Sequence, residues 1–147
     1  MIKQFRNIVT NDVFMVASLE SQSLVTGVQT LLQLDDATVE GLPLVGADYK
    51  ITPTITGRYL VMAAIEWAAS ATGIREVSLG NTGGTMLYGG NTCPGGVAGR
   101  AMQQNMIDVV TLAAGTKYGL FAYHSAAANL VVNYVNFYIQ LLNTMHN

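Results

Sequence analysis

The chain is predicted to be all-β, a sandwich or jelly roll of about eight to ten short antiparallel strands. Three observations lead there. Segments rich in valine, isoleucine, threonine and tyrosine recur along the 147 residues, glycine falls between them at turn spacing, and the segment from Tyr59 to Ala68 has the two-residue period of a pleated strand.

The elements follow in chain order. Residues Met1 to Asn11, M-I-K-Q-F-R-N-I-V-T-N, read as an arm mixing Lys3 and Arg6 with the apolar Ile2, Phe5 and Ile8. Strand regions are expected at Phe14 to Leu19 and Val25 to Leu34, the second stopping at the turn-forming pair Asp35-Asp36. Gly41-Leu42-Pro43 and Gly46 break the chain before strands at Tyr49 to Ile55, Tyr59 to Ala68 and Ile74 to Leu79. Gly80 to Gly99 holds eight glycines together with Asn81, Asn91 and Pro94 and is expected to be the longest surface loop. Strands resume at Met106 to Leu112, Tyr118 to Tyr123 and Leu130 to Leu142, divided by Ala113-Ala114-Gly115 and by Ser125 to Asn129. The Ala-rich piece Met62 to Ala71 would tolerate a helix, but the β-branched and aromatic content elsewhere argues for strands. Residues 1–20 form an arm or first strand and residues 21–147 one domain.

Two strands carry apolar residues on both faces. Tyr59, Val61, Ala63, Ile65 and Trp67 point one way, and Leu60, Met62, Ala64 and Glu66 the other. A strand with one wet face would alternate more cleanly, so the second face is expected to meet another copy of the chain. In L-V-V-N-Y-V-N-F-Y-I-Q-L-L, Leu130, Val132, Tyr134, Asn136 and Tyr138 share one side, with Val131, Asn133, Val135, Phe137, Ile139 and Leu141 opposite. Either this strand packs between two layers of one subunit, or the Tyr134/Tyr138 side lies between subunits, where tyrosine's apolar ring and hydroxyl are both useful.

An extended Tyr49-Ile51-Pro53 segment, G-x-Y-x-V before Trp67, G-x-R-x-V-x-L after it and a closing pair of apolar strands resemble the complement/tumour-necrosis-factor-like jelly roll, especially its phage-encoded versions. The pattern runs from about Val25 to Leu142. The resemblance implies a homotrimer around a threefold axis, used as a binding head or a virion surface module. With that axis in place, Met62, Ala64, His124, Tyr134 and Tyr138 are the expected trimer-interface residues. Near Gly115, Lys117 stands where an acidic residue is common in such proteins, which argues against carrying over a cation site.

Composition narrows the function further. Half of the residues are hydrophobic and 11% charged, against about 25% charged in an average globular chain. Glu66, Arg75, Asp108, Lys117 and Asn133 interrupt every apolar run before it reaches the ~18 residues of a membrane span, so oligomerisation is the better account. The net charge of −2 and seven scattered basic residues offer no dense positive patch for nucleic acid. The amino terminus has no apolar core of a secretion signal, and the single Cys93 supports no intrachain disulfide; synthesis in a host cytoplasm fits.

The residues give little support to catalysis. His124 and Ser125 are adjacent and would face opposite sides of a strand, so His124 reads as an interface or satisfied core histidine. Asp35, Asp36, Glu40 and Asp48 lack the spacing of a helix-loop-helix calcium site, Cys93 lacks zinc partners, and G-G-N-T-C-P-G-G-V-A-G-R lacks the G-K-[ST] ending of a phosphate loop. No metal or cofactor is expected. Of the carboxylates only Glu66 and Glu76, thought to flank one hairpin, merit inspection as a catalytic pair.

The expected role is a non-enzymatic virion structural protein: a trimeric decoration or cement protein on a phage head, contacting a major capsid protein or another virion protein. Lys3, Phe5 and Arg6 of the arm and Arg100 of the glycine-rich region are the expected lattice contacts. No stalk or heptad repeat precedes the globular part, which favours a compact attached module. The alternatives are a receptor-binding head of a tail fibre or tail tip that recognises host glycans, and a small carbohydrate-active or hydrolytic enzyme.

Overall fold

The computed structural model describes residues 14–34, 36–40, 48–81 and 86–144. Ten strands and no helix occur among them: β1 Phe14–Leu19, β2 Gln22–Leu24, β3 Thr30–Leu31, β4 Asp36–Glu40, β5 Gly57–Trp67, β6 Ile74–Asn81, β7 Met86–Pro94, β8 Met102–Leu112, β9 Tyr118–His124 and β10 Leu130–Thr144. They form two antiparallel sheets. One runs β4-β1-β10-β5-β8 with β2 also on β10, and the other runs β3-β9-β6-β7. The chain changes sheet at β2–β3, β3–β4, β5–β6, β7–β8, β8–β9 and β9–β10, and both sheets contribute apolar residues to one shared core.

The core consists of the inward residues the alternation predicts. Tyr59, Val61, Ala63, Ile65 and Trp67 of β5 are buried, and they face Val77, Leu79, Leu120 and Ala122 of the second sheet. β10 departs from simple alternation. Its register to β5 slips between Val132 and Tyr134, a β-bulge that leaves Asn133 as the extra residue. Leu130 and Val132 therefore point into the core with Val135, Phe137 and Ile139, and not outward with Tyr134 as expected. Asn133 uses its free position to donate from Nδ2 to Glu66 Oε1 at 3.1 Å.

Other expectations change for tertiary reasons. The predicted Val25–Leu34 strand is two short ones, because β2 pairs with β10 in one sheet and β3 with β9 in the other. Gly27 makes the crossing at φ 73°, held by its amide on the His124 carbonyl at 2.9 Å. Asp36 does not end a strand but begins β4, paired with Ser18; Asp35 and the break at 41–47 lie outside the described residues. Instead of a full strand, Tyr49 to Ile55 contributes one bridge, Ile51 to Tyr118, since Pro53 has no amide to extend it.

Gly80 to Gly99 is not the long surface loop expected. Most of it is strand: β6 continues to Asn81, and Met86–Pro94 forms β7 on the edge of the second sheet. Pairing with β6 supplies backbone bonds that glycine-rich sequence alone would not secure, and its irregular register, slipping near Leu79, accommodates the glycines. The loop after it is only residues 95–101.

Candidate functional site

The face of the first sheet turned away from the core is built from β10, β5 and β8, and register arranges it in rows. Leu60 lies between Gln140 and Val109, Met62 between Tyr138 and Ile107, Ala64 between Asn136 and Asn105, and Glu66 between Tyr134 and Gln103. The middle rows carry no charged side chain. Ile107 is 70% exposed and Val109 and Tyr134 are 40% exposed, an unusual state for side chains of that size on a sheet.

The face is concave where its residues are smallest. A groove of about 350 Å³, lined mainly by carbon, lies over Ala64 between Met62, Ile107 and Tyr138, with Asn105 and Asn136 at its sides. Ala64 leaves this space because its side chain ends at Cβ while Tyr138 and Ile107 rise beside it. The Tyr138 hydroxyl donates to Gln140 Oε1 at 2.7 Å, which fixes the ring along the groove wall. Such a surface offers shape and apolar area for association.

Of the expected interface residues, Met62, Ala64, Tyr134 and Tyr138 are brought together on this face. His124 is not. It is 0% exposed, at the end of β9 inside the sandwich, with Nε2 donating to the Leu24 carbonyl at 3.1 Å and Nδ1 accepting from the Ala126 amide at 3.3 Å. It is the satisfied core histidine, packed edge-on to Trp67 at 6.4 Å between ring centroids. Ser125 instead accepts from the Ile74 amide at 3.0 Å. Lys3, Phe5 and Arg6 lie outside the described residues, and Arg100 is exposed in the 95–101 loop.

Sequence reasoning missed Ile107 and Val109. Their signal was available, since alternation from Met106 to Leu112 separates them from the buried Met106, Val110 and Leu112. What could not be read was that β8 neighbours β5 and so extends the Met62 face.

Near Trp67 lies a buried polar cluster. The indole Nε1 donates to Gln104 Oε1 at 2.9 Å, and the Arg75 guanidinium sits 5.8 Å from the indole ring. Arg75 is 1% exposed and donates to the carbonyls of Thr72, Ile74 and Ser70 at 2.9, 3.0 and 3.3 Å. Cys93 is its cross-strand partner. Burial pushes the Cys93 thiol up against the opposing pull of Arg75, and burial likewise lowers the Arg75 value. Through the three carbonyls that Arg75 holds, this cluster braces one end of the sandwich.

Glu66 and Glu76 do not converge: they stand on strands of different sheets, not on one hairpin. Asp48 pairs with Lys117 at 2.5 Å, and that contact, first through the hydrogen bond, holds its carboxyl below the usual range. Among the described residues no three His, Cys, Asp or Glu side chains gather as a metal site.

No protein-family model matches the sequence, and no curated protein matches it. The fold does have relatives. The globular domain of the zebrafish complement 1qA protein superposes with a TM-score of 0.62 at 10% identity, over 91% of this chain and 99% of that one. The vertex protein P5 of the phage PRD1 gives 0.61 at 12% identity, over 90% and 98%. The Eiger tumour necrosis factor of S. frugiperda gives 0.54 at 11% identity, over 92% and 96%. At these identities the likeness is one of fold: a tumour-necrosis-factor-like jelly roll.

Proposed function

We propose that this protein is a non-enzymatic structural protein of a phage virion: a homotrimer that decorates or cements the head surface after synthesis in the host cytoplasm. The observation that carries this reading is the uncovered apolar face of β10, β5 and β8, with its groove over Ala64. Three copies meeting through Met62, Ala64, Tyr134 and Tyr138, with Ile107 and Val109 at the rim, would remove from water the surface that no part of the described protomer covers. The fold likeness to a virion vertex protein supports the setting. The jelly-roll domain is assigned to residues 21–147 together with β1 of the 1–20 segment, which lies between β10 and β4 in the first sheet.

Contact with the particle is assigned to the arm residues Lys3, Phe5 and Arg6, to Arg100, or to both, the partner being the major capsid protein or another virion protein. A protein that binds only the assembled shell adds stability by mass action without being needed to close it. Particles with and without the protein test this directly. Lower heat resistance of the depleted particles is the expected result; equal heat resistance with loss of host adsorption would move the assignment to a receptor-binding head that recognises host glycans.

A further inference from the structure

The ends of the sandwich differ. Phe14 pairs with Gln140 and Thr144 with Gly57, so the first and last described residues lie toward one end. At the other end four connections are tied together: the Gly27 amide donates to the His124 carbonyl, Gly95 to Gly73, Ala127 to Thr72 Oγ1 and Ile74 to Ser125 Oγ. Gly73 sits so close to Ser125 that a Cβ there would lie 2.4 Å from its carbonyl oxygen. The Arg75 guanidinium holds the carbonyls of Ser70, Thr72 and Ile74 from beneath.

This braced end is apolar. Val25, Val28, Ile74 and Val97 are exposed on it, Val97 by 70%. Across 25–29, 68–73, 95–101 and 125–129 the only charged residue is Arg100, and most of the others are alanine, glycine, serine or threonine. Glycan sites rely on aromatic and carboxylate side chains and nucleic-acid sites on clustered cations, and these four connections supply neither. Exposed aliphatics on a pre-ordered surface suit a protein partner, because little ordering entropy remains to be lost on binding. Arg100, the only charged residue on these four connections, favours a carboxylate opposite it and disfavours two like ends of this chain facing each other.

We propose that this end, centred on Val97 and Arg100, is the surface that docks another virion protein, one presenting an apolar patch with a carboxylate facing Arg100. The inference rests on the virion reading and chooses the surface within it. The trimer face stays free for self-association, and the end bearing Phe14 and Thr144 points away from the partner.

The test uses assembled particles carrying the full chain with a photo-crosslinking phenylalanine derivative at Val97 or, at the opposite end, at Ala114. Mass spectrometry first establishes whether the protein is present in the particles. Crosslinks from position 97 to a different virion protein, mapped beside an Asp or Glu, are expected, with few from position 114. Arg100→Glu should cut that yield by about tenfold and Arg100→Lys far less. Crosslinks from 114 and none from 97, or from 97 only to further copies of this chain, would overturn the docking surface while leaving the virion role intact. Absence from particles would overturn both.

Discussion

Replacing Trp67 by phenylalanine tests the braced end at its centre. The side chain is 0% exposed and its Nε1 is the donor to Gln104 Oε1 at 2.9 Å. Phenylalanine removes that donor and with it one hydrogen bond to a buried amide oxygen, at about 1–3 kcal/mol. Lost packing of the larger ring against His124 and the Arg75 guanidinium adds about 1 kcal/mol. A total of about 2–4 kcal/mol is a large share of the stability of a domain this size. Adding Gln104→Met removes the acceptor of the same bond, so the pair should be less damaged than its single changes together by about 1–2 kcal/mol. Urea unfolding followed by far-ultraviolet circular dichroism, at one fixed protein concentration, measures this without the lost indole signal. A Trp67→Phe cost under about 0.5 kcal/mol, or strict additivity of the two changes, would refute the assigned hydrogen bond.

Three further outcomes are expected. Gly73→Ala, at φ 74° and with its Cβ against the Ser125 carbonyl, should cost more than the ~1–3 kcal/mol of backbone strain alone, while Gly99→Ala at φ 79° in open space should cost only that strain; equal melting shifts would contradict the close approach. Burial, reinforced by Tyr118, raises the Tyr59 phenol above its usual value, so the folded state resists an ionisation the unfolded chain allows. Stability should be complete below about pH 10 and fall as pH rises through the folded value; Tyr59→Phe should flatten that alkaline limb while losing about 1 kcal/mol with the 2.7 Å bond to the Ile55 carbonyl, and an unchanged limb would contradict it. Asp48→Ala should leave the urea midpoint nearly unchanged, since its pair with Lys117 is exposed and screened by solvent; a clear fall in the midpoint would contradict that.

Sequence periodicity revealed the long central strands because their burial is one-sided and repeated. Tyr59, Val61, Ala63, Ile65 and Trp67 announce the core face of β5 without any knowledge of neighbours. Features that depend on pairing were hidden. The Asn133 bulge inverts the facing of Leu130 and Val132, and β7 persists through Gly89 and Gly90 because β6 lies beside it. The candidate face was half legible for the same reason. Met62, Ala64, Tyr134 and Tyr138 declared themselves by alternation, while Ile107 and Val109 joined them only once β8 was placed next to β5. His124 was misplaced because an apolar strand with one histidine looks alike whether that histidine meets a neighbour or the Leu24 carbonyl.

Sedimentation equilibrium at micromolar concentration measures whether the apolar face of β10, β5 and β8 holds copies of the chain together. The native protein is expected to sediment as three 15.7-kDa chains, and Ile107→Asp combined with Tyr138→Asp, which charges this face without touching the core, should give a folded single chain. A native mass of one chain across that range, or a doubly substituted protein that remains trimeric, would contradict the account.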